Sequence, residues 1–260
     1  MFSITLLGSG SAGNCAIVQT GDCKLLIDGG LSARQIVTRL AALNILPAQL
    51  DGILLTHEHI DHVGGLRVFC KKNEIPIYCN PLTAEAIRTP EFAFHKNWRL
   101  FNTGSDFSLK DLTIQTFPVP HDAADPVGFV IHHETESLGF CTDLGFATKL
   151  VFERIKDVQT LVIETNHDEK LLQNDTHRPW AIKQRIMSRH GHLSNAAAAE
   201  VLAELLGNRL RRSILVHLSR DCNSPELATE TVRARLNAPD VEIFCASQTV
   251  VSPQFPISKI

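Results

Sequence analysis

The chain has 260 residues, 44% of them hydrophobic and 20% charged, with a formal net charge of −3. That balance argues against a disordered or low-complexity chain, and the slightly acidic total offers nothing to a nucleic-acid partner through overall charge. The seven cysteines are odd in number and none stand at CxxC spacing, so neither a disulfide framework nor a zinc ribbon is indicated.

The first segment, MFSITLLGSGSAGN, carries no basic leader, and Gly8 interrupts its apolar run. It reads as a first β-strand rather than a signal peptide. No stretch approaches the roughly 20 apolar residues of a membrane span, so a reducing cytoplasm is the expected compartment, with no membrane partner. SITLLG, NCAIVQT and KLLIDGG then read as consecutive strands joined by tight turns at Ser9–Gly13 and Gly21–Asp22. Residues 32–43 have helical periodicity behind Ser32 as N-cap. DGILLT is a short buried strand that runs into HEHIDHVGG, and a helix is expected around Leu66–Lys72.

The middle of the chain repeats the theme, with strands at IPIYCN, LTIQTFPVP, VGFVIHH and SLGFCTD. LVFERI reads as a short helix, TLVIETN as another buried strand, residues 195–206 as a helix ending at Gly207, and SILVHLS as a strand after it. Strands dominate each half and helices follow, so two sheets with helices outside them is the natural packing. There is no linker, composition break or repeat, and residues 1–260 read as one α/β domain.

The strongest chemical signal is His57-Glu-His59-Ile-Asp61-His62, set directly after the strand GILLT. Four metal-capable side chains within six residues can be aimed at a common point from a strand end. Imidazole and carboxylate together suit zinc, manganese or iron. Four residues cannot saturate two ions, and further candidates stand where other apolar runs stop: His121 after TFPVP, Asp143 after GFCT, and His217 in ILVHLS.

This series, HxHxDH followed by a strand-end His, a strand-end Asp and a distal His, resembles the metallo-β-lactamase superfamily. The resemblance covers nearly the whole chain and implies a four-layer αββα sandwich of two mixed sheets with helices outside. It further implies that His57, His59 and His121 hold one metal, that Asp61, His62 and His217 hold another, and that Asp143 bridges them. Asp28 in LLIDGG matches the early Asp of the superfamily, which orients the histidine loop from behind. GSGSAGN, ETNHD at 164–168, KQRIMSRHGHLSN at 183–195 and HLSRDCN at 217–223 are similar to the WalJ/YycJ-type exonuclease branch. GHLSN also resembles a segment of the RNase Z enzymes and of phosphodiesterases, in which the His acts near the leaving group; that role falls to His192. The stretch between Asp143 and His192 is too short for the long insertion of the β-CASP nucleases.

The expected activity is therefore that of a metal-dependent phosphodiesterase, a 5′-to-3′ exonuclease acting on double-stranded DNA with a free 5′ end. Two divalent ions, Zn²⁺ or Mn²⁺, lower the pKa of a shared water toward neutrality and supply hydroxide. Asp61 orients that hydroxide and protonated His192 donates to the leaving oxygen. Ser194 either caps the helix starting at Asn195 or joins Asn195 in facing a phosphate. His167 either lines the cleft or is a loop histidine bonded to Asp168. Ser9 and Ser11 either touch a phosphate or serve a tight turn. Arg178, Lys183, Arg185 and Arg189 form a basic stretch leading into His192; it is either a solvated face or a contact for the phosphate backbone. The alternatives are an RNase Z-like RNA-processing enzyme, a small-molecule phosphodiesterase, a glyoxalase- or lactonase-type hydrolase, and a non-catalytic binding protein.

Overall fold

Alternation of side chains along the strands sets the architecture of this computed structural model, which describes residues 1–257. The first half runs β1 (Ser3–Gly8), β2 (Cys15–Gln19), β3 (Lys24–Ile27), α1 (Ala33–Ala42), β4 (Gly52–Leu54), α2 (Ile60–Val63), α3 (Leu66–Lys72), β5 (Ile77–Cys79), α4 (Pro81–Ile87) and β6 (Trp98–Leu100). The second half runs β7 (Asp106–Leu109), β8 (Leu112–Pro118), β9 (Val127–His133), β10 (Glu136–Cys141), α5 (Lys149–Ile155), β11 (Thr160–Glu164), α6 (Glu169–Asn174), α7 (Trp180–Ile186), α8 (Asn195–Glu204), β12 (Arg212–Val216), α9 (Pro225–Leu236), β13 (Glu242–Cys245) and β14 (Phe255–Pro256). One sheet has the order β14-β1-β2-β3-β4-β5-β6 and the other β13-β12-β11-β10-β9-β8-β7.

Both faces of each sheet are buried, as near-continuous apolar strands require. Ile4, Leu25, Ile27 and Leu54 from the first sheet meet Phe129, Ile131, Val162 and Ile214 from the second in the core between the sheets. The intervening residues point outward. Leu26, Ile53 and Leu55 pack under α1, α3 and α4 with Ile36, Leu40 and Phe69. Leu161, Ile163 and Leu215 pack under α8 and α9 with Ala198, Leu202, Ala228 and Val232. The four-layer αββα sandwich follows from this period-two split, as the sequence led us to expect.

The strands read from the sequence are present, with the run SILVHLS ending as a strand at Val216 so that His217 is the first residue beyond it. The helix behind Ser32 carries a full capping box with Gln35. Helices α2, α4, α6, α7 and α9 and the edge strands β6, β7, β13 and β14 were not anticipated. Among the described residues no helix is long and apolar enough to cross a membrane.

Each sheet begins antiparallel and becomes parallel: β3 pairs β4 in parallel, and β10, β11 and β12 pair in parallel. The ends of these strands meet at one edge of the sandwich, where open α/β sheets place their ligands.

Candidate metal centre

Three residues that end strands at this edge, Asp28, Asp143 and His217, have φ of 60°, 54° and 58°. A left-handed conformation is uncommon for any residue with a Cβ, though Asp and His adopt it more readily than most. Here it turns each side chain off its strand and into the space between the sheets. The histidine loop after β4 is seated against the glycine-rich turn: Asn14 N donates to Asp61 O at 2.8 Å, and Gly30 N donates to Asn14 O at 2.9 Å. A Cβ on Gly30 would stand 1.7 Å from Asp61 O, so only glycine permits this approach.

Four of the five candidate ligand imidazoles follow one rule. His62 Nδ1 is 2.8 Å from Asp28 Oδ2, His121 Nδ1 is 3.0 Å from Gly191 O, and His217 Nδ1 is 2.7 Å from Glu164 Oε1. His57 Nδ1 is 3.0 Å from Thr56 Oγ1, whose own proton is drawn to Asp28. Each of these Nδ1 atoms is placed to donate to an oxygen, which turns Nε2 toward the interior, the arrangement of metal-binding histidines. His57 Nε2 is buried without a hydrogen-bond partner. His121 Nε2 and His59 Nδ1 face each other at 3.3 Å. An unpartnered buried nitrogen and ring nitrogens converging on one point call for a cation.

The ligand atoms group accordingly. Those of His57, His59 and His121 lie within 4.8 Å of one another, as do those of Asp61, His62 and His217, and those of His57, His62 and Asp143. Asp143 Oδ2 is 3.0 Å from His62 Nε2, and its Oδ1 is 3.3 Å from His217 Nδ1 and 3.7 Å from His121 Nε2, so this carboxylate touches both clusters. Burial would depress His62, yet Asp143 and Asp28 outweigh it and raise its pKa to about 10. Burial is likewise overcome at His217, held well above the ordinary range by Asp143, Asp61 and Glu164. On the other side, burial and then the neighbouring His62 push His57 well below it. One side of the pocket demands positive charge while the other rejects protons, and a divalent cation satisfies both. The nitrogen and oxygen donors fit such an ion.

Glu164, which the sequence reading passed over, is fully buried at the end of β11. It accepts from His192 Nδ1 at 2.7 Å, from His217 Nδ1, and from the backbone N–H groups of Leu144 and Leu193. Burial would raise its pKa, but His192 and His217 bring it down to about 2. In return Glu164 overcomes the burial of His192 and raises the pKa of that imidazole. The signal was available as the acid opening ETNHD, a charged residue at the end of an apolar strand.

The residues expected to face substrate divide. A cleft of about 410 Å³ over the histidines is lined by His59, Asp61, His121, Asp143, His192 and His217 together with Ser11, Arg178 and Arg185. Arg185 is paired with Asp122, and Arg178 with Asp175 and Asp221. Arg189 lies outside the cleft lining and stacks over the Phe146 ring at 4.6 Å. Lys183 is buried, donating to Gln173 O. Ser194 caps α8 by accepting from Ala197 N, and it donates to Glu169. Asn195 is buried and exchanges hydrogen bonds with Asn223. His167 is buried beside Ser194 with its Nδ1 unpartnered, and it too lies outside the cleft lining. Ser9 serves the frame: its hydroxyl accepts from His217 N at 2.8 Å and donates to Asn14.

Residues 24–218 match the beta-lactamase superfamily domain. The chain is 35% identical over 245 residues to exodeoxyribonuclease WalJ of Streptococcus pneumoniae serotype 2 (strain D39 / NCTC 7466), covering 93% of this chain and 91% of that one. To exodeoxyribonuclease YycJ of Bacillus anthracis it is 36% identical over 231 residues, covering 88% and 86%. Among solved structures, the metallo-β-lactamase fold protein YhfI from Bacillus subtilis aligns with a TM-score of 0.73 at 17% identity, covering 97% of this chain and 99% of that one.

Proposed function

The chain belongs to the metallo-β-lactamase superfamily, and from that premise we propose that it is a metal-dependent exodeoxyribonuclease degrading duplex DNA from a free 5′ end. The observation that carries this reading is 35% identity to exodeoxyribonuclease WalJ over an alignment that covers 93% of the chain. The donor set described above supports it. His57, His59 and His121 would hold one divalent ion, Asp61, His62 and His217 a second, and Asp143 would reach both. Donors without thiolate suit Zn²⁺ or Mn²⁺. We read residues 1–260 as a single domain working in the cytoplasm.

When bound, the ions polarise the phosphoryl group and bring the pKa of a water toward neutrality. The chain's own residues do the rest. Asp61 lines the cleft with its Oδ2 3.1 Å from His217 Nε2, placed to accept a hydrogen bond from the attacking water and orient it. His192 donates a hydrogen bond from Nδ1 to the Glu164 carboxylate, which fixes the ring and leaves the Nε2 proton for the departing oxygen. General-acid help of this kind is worth roughly 10²–10⁴-fold. Asp28, directly through His62 and by way of Thr56 to His57, sets the orientation of two ligands at once.

The test is digestion of duplex DNA labelled at its 5′ or 3′ end, with Mn²⁺ or Zn²⁺ supplied. Release of short products from the 5′ label, abolished in Asp61→Ala and reduced roughly 10²–10⁴-fold in His192→Ala, is the expected result. A metal-loaded protein that cuts a small phosphodiester but no DNA would refute it.

A further inference from the structure

The cleft over the metal ligands has an apolar component that phosphate chemistry does not use. Ile60 sits inside the histidine motif itself and is 78% exposed. Ile182 on α7 is 41% exposed, and Ile186 lies one turn further along the same helix face. All three line the same cleft as His59, Asp61 and His192. They come from two segments far apart in the chain. Ligand sites combine apolar lining with a few polar groups that fix orientation, and these isoleucines supply the apolar part of this cleft. Arg185 stands between Ile182 and Ile186 in sequence and lines the cleft as well. The cleft thus offers cationic and metal-binding groups beside apolar ones, and a nucleotide presents an anionic phosphate beside a flat apolar base.

We infer that Ile60, Ile182 and Ile186 receive the base of the nucleotide being removed, gripping its faces rather than reading its edges. This rests on the nuclease reading. Apolar side chains offer no hydrogen bonds to base edges, so any of the four bases is accepted, and preference comes only from stacking strength. The end nucleotide must leave the duplex stack to be held this way, which costs least where the end pair frays easily. A cleft of about 410 Å³ is of ordinary size for one small ligand, which suits single-nucleotide removal.

The test compares two duplexes, each carrying one unpaired 5′-terminal nucleotide, with that nucleotide either intact or abasic. Wild-type protein should favour the intact end by roughly tenfold in kcat/KM, as expected for removing about 55 Å² of apolar base surface from water. In Ile182→Ser, Ile60→Ser and the double variant that ratio should fall stepwise toward one, and KM for the intact end should carry most of the change. Both side chains are exposed, so these substitutions leave the packed interior alone. A wild-type ratio near one, or variants that slow both substrates equally, would overturn the inference while leaving the nuclease reading standing. A change of oligomeric state in Ile182→Ser, measured by light scattering, would assign the patch to contact between copies and overturn it too. Wild-type protein that cuts neither duplex refutes the nuclease reading and this inference with it.

Discussion

The first sheet passes from antiparallel to parallel pairing at β3, and the second does so at β10, yet the two contribute to the metal centre in different ways. The first sheet delivers His57, His59, Asp61 and His62 from one loop after β4, with Asp28 after β3 as their support. The second delivers one residue per strand end: His121 beyond β8, Asp143 beyond β10, Glu164 closing β11 and His217 beyond β12. A contiguous loop is held by its own short helix and by the Gly30 and Asn14 contacts. A distributed set depends on strand register and on shared acceptors. The first arrangement concentrates the ligands, and the second places carboxylates where they bind the clusters together.

The comparison is sharpest at Asp143, which touches both clusters from the distributed side. Asp143→Ala should reduce metal content, read by elemental analysis, and should lower DNA cleavage by more than the roughly 10–100-fold that loss of a supporting partner costs. His59→Ala removes a ligand from one cluster alone and should leave part of the metal in place. If His59→Ala empties the site and Asp143→Ala does not, the carboxylate is not the residue joining the clusters. Chelation of the wild-type protein should also lower its thermal midpoint, because an ion that binds only the folded chain stabilises it by roughly 2.7 kcal/mol at a hundredfold over Kd.

Glu164 tests the second half more finely, since it supports His217 in the metal cluster and His192 in the cleft through one oxygen. Glu164→Gln keeps the shape but removes the charge that holds both imidazoles. A loss of roughly 10–100-fold is expected, appearing partly as weaker metal affinity and partly as lower kcat at saturating metal. An effect on metal affinity alone would detach His192 from this network.

The same contrast explains how much was readable. HEHIDH announces itself because the ligands are neighbours in sequence, and the strand before it points them inward. His121, Asp143 and His217 each look like an ordinary strand-end residue and were candidates only as a set, from where the apolar runs stop; resemblance added Asp28 and divided the ligands between two ions. Glu164 escaped notice because a single glutamate carries no motif; only the fold reveals that two histidines share it. The substrate residues were the least legible. Ser194 and Asn195 stand beside His192 in sequence, but the start of α8 turns their polar groups toward Glu169 and Asn223. The basic stretch read as one feature, while folding separates it into a buried lysine, an arginine stacked on a ring and two arginines in ion pairs at the cleft.

Those two arginines give the smallest expected effect. Arg185 lines the cleft but is held by Asp122, so in binding DNA it exchanges one anionic partner for another and gains little affinity. Its signature should therefore lie in salt dependence. Each phosphate contact contributes about one unit to the slope of log K against log salt. Arg185→Glu should reduce that slope by about one, and it should also set a second carboxylate beside Asp122 at the cleft mouth. Arg189→Glu, altering a side chain stacked on Phe146 outside the cleft, should leave the slope unchanged. Equal slopes in both variants and the wild type would mean that the DNA backbone does not pass along α7, and that the cationic contacts of the second half lie elsewhere. A drop in Arg189→Glu alone would move the path of the strand to the far side of the loop carrying His192.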